Sequence, residues 1–402
     1  MHILYFHQHF STPSGATGTR SYEMAKRLLA RGHSVTMVCG SAQMGKTGLT
    51  GEVRRGLRRG LVDGIDVIEI VLPYSNHDGL FKRALIFLRF AFRSVRIAFF
   101  EKYDLLFATS TPLTASIPGI AMRLLKPWKP FVFEVRDLWP ELPKEMGVIT
   151  NPVILWAMGV LEWLSYRTAR GCIGLSPGIR KGILRRSQKG KRVALIPNGC
   201  DLARFQPGER GDSRRTCLRA VFTGAHGMAN GLDAVLDAAL ELKARDRMDI
   251  EFHFIGDGKL KPGLVQRAQS QGLSQCQFHD AIPKTQLQAR LGEYDLGLMI
   301  LANIPAFYYG TSPNKFFDYI SAGMPVLNNY PGWLAEMVEE NECGYAVPPD
   351  DPAAFADAME RLADDPEGRV QMGNRSRILA EEKFDRTALA DQFVDFLEAF
   401  GE

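Results

Sequence analysis

The chain has 402 residues, room for two or three domains at about 150 residues each, which excludes a peptide, a fibre or a tail. Apolar residues make up 46%, charged residues 23% and glycine 38 positions, which is globular usage and excludes a collagenous, low-complexity or disordered chain. The net charge of +4 conceals a split near residue 215, with +17 before it and −13 after, so one half is suited to an anionic ligand or surface.

The sequence opens with MHILYFHQHF, the alternation of a buried strand, without the basic start and small-residue cleavage site of a secretion signal. Cysteines at 39, 172, 200, 217, 276 and 343 form no C-x-x-C pair, and a reduced cytoplasmic compartment is expected. The first strand-to-helix turn, STPSGATGTR, carries Gly15 and Gly18 and leads into a helix from about Ser21 to Arg31. Its backbone N–H groups are candidates to face a phosphate or an acceptor. It is not a G-x-G-x-x-G turn, and no acidic residue closes the next strand, SVTMVCG, so no nicotinamide cofactor is expected.

Strands IDVIEIVL, DLLFATS, PFVFEV, GCIGLS and RVALIPNG follow, alternating with helical patterns, which is the signature of a parallel sheet. Residues 80–100 read as a helix interrupted by Lys82, Arg89, Arg93 and Arg96, too charged to span a bilayer. Steps of four and three residues place the three arginines on one face. That face is a candidate contact with anionic lipid, the alternative being an exterior helix with a solvated basic side. The stretch NPVILWAMGVLEWLSYR, broken by Glu162, is expected to be a buried packing helix.

FQPGERGDSRR, residues 205–215, has no apolar period and reads as a linker between a domain at 1–204 and a second at 216–385. The second series runs LRAVFTG, a helix from about Gly231 to Ala244, IEFHFIG, CQFHDAI, DLGLMIL, the helix NKFFDYISAG, MPVLNN and GYAVPPD. The expected fold class is α/β, two doubly wound Rossmann-like domains facing across a cleft, where the carboxyl ends of open parallel sheets hold ligands. A last helix, within 386–402, is expected to pack back on the first domain.

The segment YYGTSPNKFFDYISAGMPV places Pro313 at a helix start and Gly323 after its end. The N–H groups around Gly310, Thr311, Ser312, Asn314 and Lys315, with the Lys315 ammonium, make a candidate seat for a diphosphate. Asp318 follows one turn later, where a carboxylate suits a ribose diol. Gly224 and His226 of FTGAHG, Asn230 of MANG and Lys259 of GDGKLK join the candidate donor site.

RLLARGHSVTMV, FEVRDLWPELP, IPNGCD, TGAHGMANGLDAVLDA, FIGDG and SPNKFFDYISAGMPV occur in this order over nearly the whole chain. With them the sequence resembles the retaining glycosyltransferases of family 4, with the GT-B fold, and within these a bacterial polysaccharide subgroup of N-acetyl-fucosamine transferases. The resemblance implies transfer of a sugar, an N-acetylhexosamine or deoxy relative, from a nucleotide diphosphate, UDP in the first instance. The implied acceptor is a lipid-linked or growing polysaccharide, of the O-antigen or capsule kind, at the cytoplasmic face of the inner membrane. No separate cofactor is implied. The acceptor hydroxyl would attack on the face from which the diphosphate leaves, the leaving phosphate taking its proton.

The chain departs from the family pattern at several positions. Of the family's E-x7-E motif, Asp318 takes the place of the second Glu and Gly310 that of the first, leaving Tyr309, Thr311 and Asn314 as alternatives there. Ala225 and Asn230 occupy the places of the Arg and Lys that hold the diphosphate. Lys315 is therefore the expected compensating cation, with Lys259 and His226 as lesser ones. Many members carry His-Asp where this chain has Arg136-Asp137, the candidate catalytic pair. Arg136 is suited to a leaving phosphate or an acidic acceptor group; a structural ion pair with Asp137 or Glu141 is the alternative. Glu134 and Glu141 are the nearest other carboxylates. No H-E-x-x-H or D-x-D cluster suggests a metal, and no aromatic-basic module suggests nucleic acid. A sugar-nucleotide epimerase and a non-catalytic nucleotide-sugar-binding assembly protein are the competing expectations.

Overall fold

The computed structural model describes residues 1–42, 45–75, 78–207 and 217–401. It contains two compact units, Met1–Pro197 with Gly310–Ser312 and Thr387–Glu402, and Asn198–Tyr309 with Pro313–Arg386. Of the expected linker, residues 208–215 lie outside the described residues. The change of unit comes at Pro197, ahead of that linker. Cys200 N–H already bonds the Phe384 carbonyl, and Arg377 donates to the carbonyls of Leu202 and Phe205, which ties this segment into the second unit.

The first unit has strands β1 (His2–Phe6), β2 (Ser34–Ala42), β3 (Leu57–Val62), β4 (Ile65–Tyr74), β5 (Leu105–Thr109), β6 (Phe131–Val135), β7 (Gly171–Gly174) and β8 (Arg192–Leu195). Its helices are α1 (Arg20–Ala30), α2 (Leu80–Phe100), α3 (Ile117–Leu125), α4 (Glu141–Glu145), α5 (Pro152–Thr168) and α6 (Pro177–Arg186). The sheet order is β3-β4-β2-β1-β5-β6-β7-β8, and Ile3 of β1 pairs with both Val35 and Leu105 in parallel. β5 and β6 are buried at every position, as parallel strands covered on both faces must be. Only β3 runs antiparallel, folding back on β4 through Asp63-Gly64, both at positive φ, the geometry of a tight hairpin turn.

Connections from β4 to β5, β5 to β6 and β6 to β7 all advance the same way along the sheet, so right-handed crossovers put α2, α3 and α5 on one face and α1 on the other. α3 packs against both α2 and α5. The expectation that α5 is a buried packing helix is not met. Its inner side presents Glu162, Ser165 and Tyr166, while Val153, Ile154, Trp156, Val160 and Trp163 are exposed. The sheet covers one side only, and the polar residue that breaks the pattern is the one turned inward, where Arg186 of α6 pairs with it. Asn151-Pro152 starts this helix, Asn151 accepting from the Val153 and Ile154 N–H groups.

The second unit has β9 (Leu218–Thr223), β10 (Ile250–Ile255), β11 (Cys276–His279), β12 (Leu296–Met299), β13 (Val326–Asn328) and β14 (Gly344–Ala346), all parallel in the order β11-β10-β9-β12-β13-β14. This is the doubly wound order whose direction reverses between its first and fourth strands. Helices α7 (Asp233–Ala244), α8 (Lys261–Ser270), α9 (Lys284–Leu291), α10 (Pro305–Gly310), α11 (Asn314–Ser321), α12 (Trp333–Glu340), α13 (Pro352–Asp364) and α14 (Pro366–Lys383) connect and cover it. Its core gathers Phe222, Phe252, Phe254, Leu236, Leu298 and Met359.

The last helix, α15 (Arg386–Glu398), lies on the first unit. Phe393 stacks on Tyr5 and meets Phe107 edge-on, with centroids 6.5 and 5.0 Å apart. Asp391 pairs with Arg27 and Arg31, and Glu398 with His33. Cys39, Cys172, Cys200 and Cys343 are buried, and Cys217 and Cys276 half-buried. Among the described residues no helix is long and apolar enough to cross a membrane.

Candidate functional site

In an open parallel sheet the chain turns away to opposite sides where the strand order reverses, leaving a crevice outside the carboxyl ends. In the second unit that place lies between β9 and β12, and the Lys315 ammonium sits there. It lies 4.0 Å from the centre of the Phe222 ring of β9, donates to Asn230 Oδ1 at 2.6 Å and reaches the Ile300 carbonyl, just past β12, at 3.4 Å. Among the described residues no carboxylate pairs with it. Burial alone pulls its pKa down to about 7, the mark of a cation held without a counter-charge. Lys315 is the second residue of α11, whose start is Pro313 with no side-chain cap; of the first-turn N–H groups, that of Phe316 bonds the Pro313 carbonyl at 3.2 Å, and the helix dipole favours an anion at this end. Asn314 shares this turn, whereas Gly310, Thr311 and Ser312 are counted with the first unit.

Two loops shape the floor of this crevice. Gly224 N–H bonds the Ile255 carbonyl, His226 N–H the Asp257 carbonyl, and Leu260 N–H the His226 carbonyl. A Cβ on Gly256 would stand 1.8 Å from the Gly224 oxygen, so backbone touches backbone there. Gly256→Ala should cost about 1–3 kcal/mol by forcing these loops apart, visible as a lowered denaturation midpoint; an unchanged midpoint would contradict the packing described.

His226 turns inward among aromatic rings, both its ring nitrogens without a hydrogen-bond partner among the described residues. It is fully buried with its ring 6.1 to 6.4 Å from those of Phe222, Phe254 and Phe278, and burial lowers its pKa to about 4. The expectation for Lys259 moves too. Lys259 is exposed, and Lys261 two residues on is the one engaged, donating to the Gly256 and His279 carbonyls and to Asp280. Asn230 stays at the site in a different part from the cation it replaces, steering Lys315 while its Nδ2 donates to the Ala225 carbonyl at 2.7 Å.

Asp318 differs most from expectation. Instead of standing open to a ribose it is 3% exposed, and its Oδ2 is ion-paired with Lys284 of α9. Lys284, itself buried, lies 5.0 Å over the Phe205 ring, and desolvation lowers its pKa despite the carboxylate beside it. The other oxygen, Oδ1, is buried and without a hydrogen-bond partner among the described residues. Tyr309, an alternative at the missing Glu, gives its hydroxyl to Glu336. A cavity of about 270 Å³ in this unit opens beside Gly231, Asp233, Asp237, Ala302 and Asp350. Its carboxylates make it unsuited to a diphosphate.

In the first unit the order reverses between β1 and β5, and Arg136, just past β6, comes to that point. Its guanidinium donates to His7 Nε2 at 3.3 Å and its N–H to Ser110 Oγ at 2.9 Å. A guanidinium only donates, so Nε2 is the accepting nitrogen and the proton of neutral His7 sits on Nδ1, which is buried without a partner. Burial, then Arg136, holds the His7 pKa well below the ordinary range. Among the described residues Arg136 forms neither of the alternative ion pairs. Asp137 accepts from Thr111 Oγ1 at 2.7 Å, Glu141 pairs with Arg185, and Glu134 is committed to Arg20. Burial pushes the Asp137 carboxyl up. The phosphate loop is less open than its glycines suggest, because Gly15 is buried and its N–H bonds the Thr12 carbonyl; Gly18 is half-buried.

Residues 17–204 match the family described as Glycosyltransferase Family 4, and residues 218–365 match that described as Glycosyl transferases group 1. Both halves of the chain thus match glycosyltransferase family models, and the fold is GT-B. An alpha-D-kanosaminyltransferase of Streptomyces kanamyceticus is 25% identical over 281 residues, 63% of this chain and 65% of that enzyme, just under two thirds of its length. Sucrose-phosphate synthase from Thermosynechococcus elongatus superposes with a TM-score of 0.75 at 16% identity, covering 99% and 98% of the two chains. Anabaena Alr3699/HepE, in complex with UDP and glucose, gives 0.67 at 16% identity over 99% and 100%.

Of the candidates named from the sequence, Lys315 lies against Asn230 in the second unit and Arg136 lies past β6 in the first; His7 and Lys284, which contact Arg136 and Asp318, were not among them. His7 had a signal, since a histidine directly after a first parallel strand falls at the carboxyl edge. Lys284 had none. Among the described residues no group of three or more His, Cys, Asp or Glu is placed to hold a metal ion.

Proposed function

We propose that this chain transfers a sugar from a nucleotide diphosphate, with retention at the anomeric carbon, to a lipid-linked or growing polysaccharide acceptor. The observation that carries the reading is the Lys315 ammonium, at the start of α11 and at the strand-order reversal, without a carboxylate. A diphosphate gains charge as the glycosidic bond breaks. A fixed, desolvated cation at a helix start stabilises that charge more than it stabilises the bound donor. The acceptor hydroxyl then adds on the departing face and its proton passes to the leaving phosphate. No protein base is required, and Gly310 in place of a Glu is compatible with the scheme. The reaction so described uses no metal.

Arg136, free of carboxylate, is suited to an acidic group of the acceptor, with Asp137 beside it. UDP is the proposed nucleotide, supported by the UDP held in Anabaena HepE, and an N-acetylhexosamine or deoxy relative the proposed sugar. The product belongs to surface polysaccharide of the O-antigen or capsule kind, made at the cytoplasmic membrane face. There the exposed Arg89, Arg93 and Arg96, with Lys82 tied to Asp78, give α2 a basic side toward anionic lipid.

Purified protein, bacterial membranes and a panel of UDP- and GDP-sugars test this. The expected result is free UDP or GDP together with labelled glycan in the lipid fraction. An isomerised nucleotide sugar formed without acceptor, or no turnover from any donor, overturns it.

A further inference from the structure

α2, α3 and α5 lie side by side on one face of the first sheet, so their outer surfaces form one layer. That layer exposes side chains a folded chain ordinarily buries. Phe81 is 85% exposed, Phe92 69%, Leu124 76%, Trp128 66%, and Val153 and Trp156 70% each. Single exposed apolar residues need no explanation, but a run of them across neighbouring helices does. On α2 the exposed Phe81, Leu85, Leu88, Phe92 and Phe99 follow at steps of four, three, four and seven. On α5 Val153, Trp156, Val160 and Trp163 follow at three, four and three. Each is a helical stripe turned away from the sheet.

Charge follows the same layer. Residues 80–100 hold Lys82, Arg83, Arg89, Arg93 and Arg96, residues 113–130 hold Arg123, Lys126 and Lys129, and neither segment contains an Asp or Glu. The one carboxylate of α5, Glu162, is buried against Arg186. Several cations lie against the aromatic rings, Arg167 5.1 Å from the centre of Trp163, Arg96 5.5 Å from Phe100 and Lys126 4.9 Å from Phe99. Rings and aliphatic stems with charged ends are what the headgroup region of a bilayer accommodates. Nucleic acid has no use for the apolar stripes, and a second copy would set like charges against each other.

We propose that α2, the turn after α3 that carries Trp128, and α5 form one face that inserts into anionic lipid, with Trp128, Trp156 and Trp163 entering the boundary between headgroups and acyl chains. The proposal rests on the membrane placement read from α2 above and adds a second helix and insertion, where α2 alone implied electrostatic contact. With no helix among the described residues long and apolar enough to span, the proposed face lies on the bilayer.

The full chain is mixed with phosphatidylcholine vesicles, with and without phosphatidylglycerol, and with acyl-brominated phosphatidylcholine included. Tryptophan emission should shift to the blue and be quenched by the bromines only when phosphatidylglycerol is present. W128A/W156A/W163A should bind these vesicles about a hundredfold or more less tightly, with an unchanged melting temperature because all three rings are exposed. R89Q/R93Q/R96Q should lose the preference for phosphatidylglycerol. If the arginine variant loses binding while the tryptophan variant keeps it, insertion is overturned and electrostatic contact of α2 stands. If neither loses binding, both readings fail. Self-association or DNA binding abolished by the tryptophan changes would assign the face to another partner and overturn the proposal. Nucleotide release on a soluble acceptor, followed in parallel, tests the transfer reaction separately.

Discussion

Lys315→Met should lower donor turnover by at least about a hundredfold, the usual loss when a group aimed at developing charge is removed. The folded chain should survive, because the ammonium it deletes is buried without a counter-charge and is disfavoured in the folded state. The pH dependence has a definite sign. With a pKa near 7, free Lys315 is charged below that pH and neutral above it, so binding of UDP to the wild type should weaken through about pH 7, approaching tenfold per unit. K315M should lose this dependence. Stability should move the opposite way. Between about pH 7 and the ordinary lysine range the unfolded chain holds a proton the folded one has lost, so stability rises with pH there, and this rise should vanish in K315M. Calorimetric titration of UDP and melting curves over pH check both. Equal donor turnover in the variant would remove the basis of the proposed site.

Glu134→Ala should be the most destabilising of the changes considered. Arg20, at the start of α1, donates to Glu134 Oε2 through Nε at 3.0 Å and Nη2 at 2.8 Å, and to the carbonyls of Pro197 and Ile196 at 2.7 and 2.9 Å. Thr109 Oγ1 donates to the other carboxylate oxygen at 2.7 Å. Arg20 is 5% exposed and Glu134 not at all. Removing the carboxylate strands a buried cation, which costs about 3–5 kcal/mol, whereas removing both partners together costs less than the two single losses added. Urea denaturation of E134A, R20M and the double variant measures this. A loss under about 1 kcal/mol for E134A would show that the pair is not what holds this end of the sheet.

How far the sequence could be read follows from where each signal lives. β5 and β6 were legible because a parallel strand covered on both faces must be apolar throughout. β3 was not, since an edge strand reading LRRGLV is half solvent, although the Asp63-Gly64 pair that turns it was in plain view. α5 shows the limit of pattern for helices. A segment apolar nearly all round says nothing about which side meets the sheet, and its one carboxylate turned out to mark the inside. At the candidate site Lys315 was legible through helix punctuation, but the pairing of Lys284 with Asp318, and of His7 with Arg136, joins residues 34 and 129 positions apart and exists only once the strands are ordered. Lys259 and Lys261 differ by two positions, and local composition does not tell which of them turns inward.

The return of α15 to the first sheet has a consequence for how the polypeptide is made. Tyr5 and Phe107, synthesised early, wait for Phe393, and the small residue Gly171 lies where Phe400 packs. The half that leaves the ribosome first is therefore finished last, after the other half has been synthesised in full. Trimming the C-terminus or fusing a bulky carrier there acts at the opposite end of the gene from the fold it disturbs.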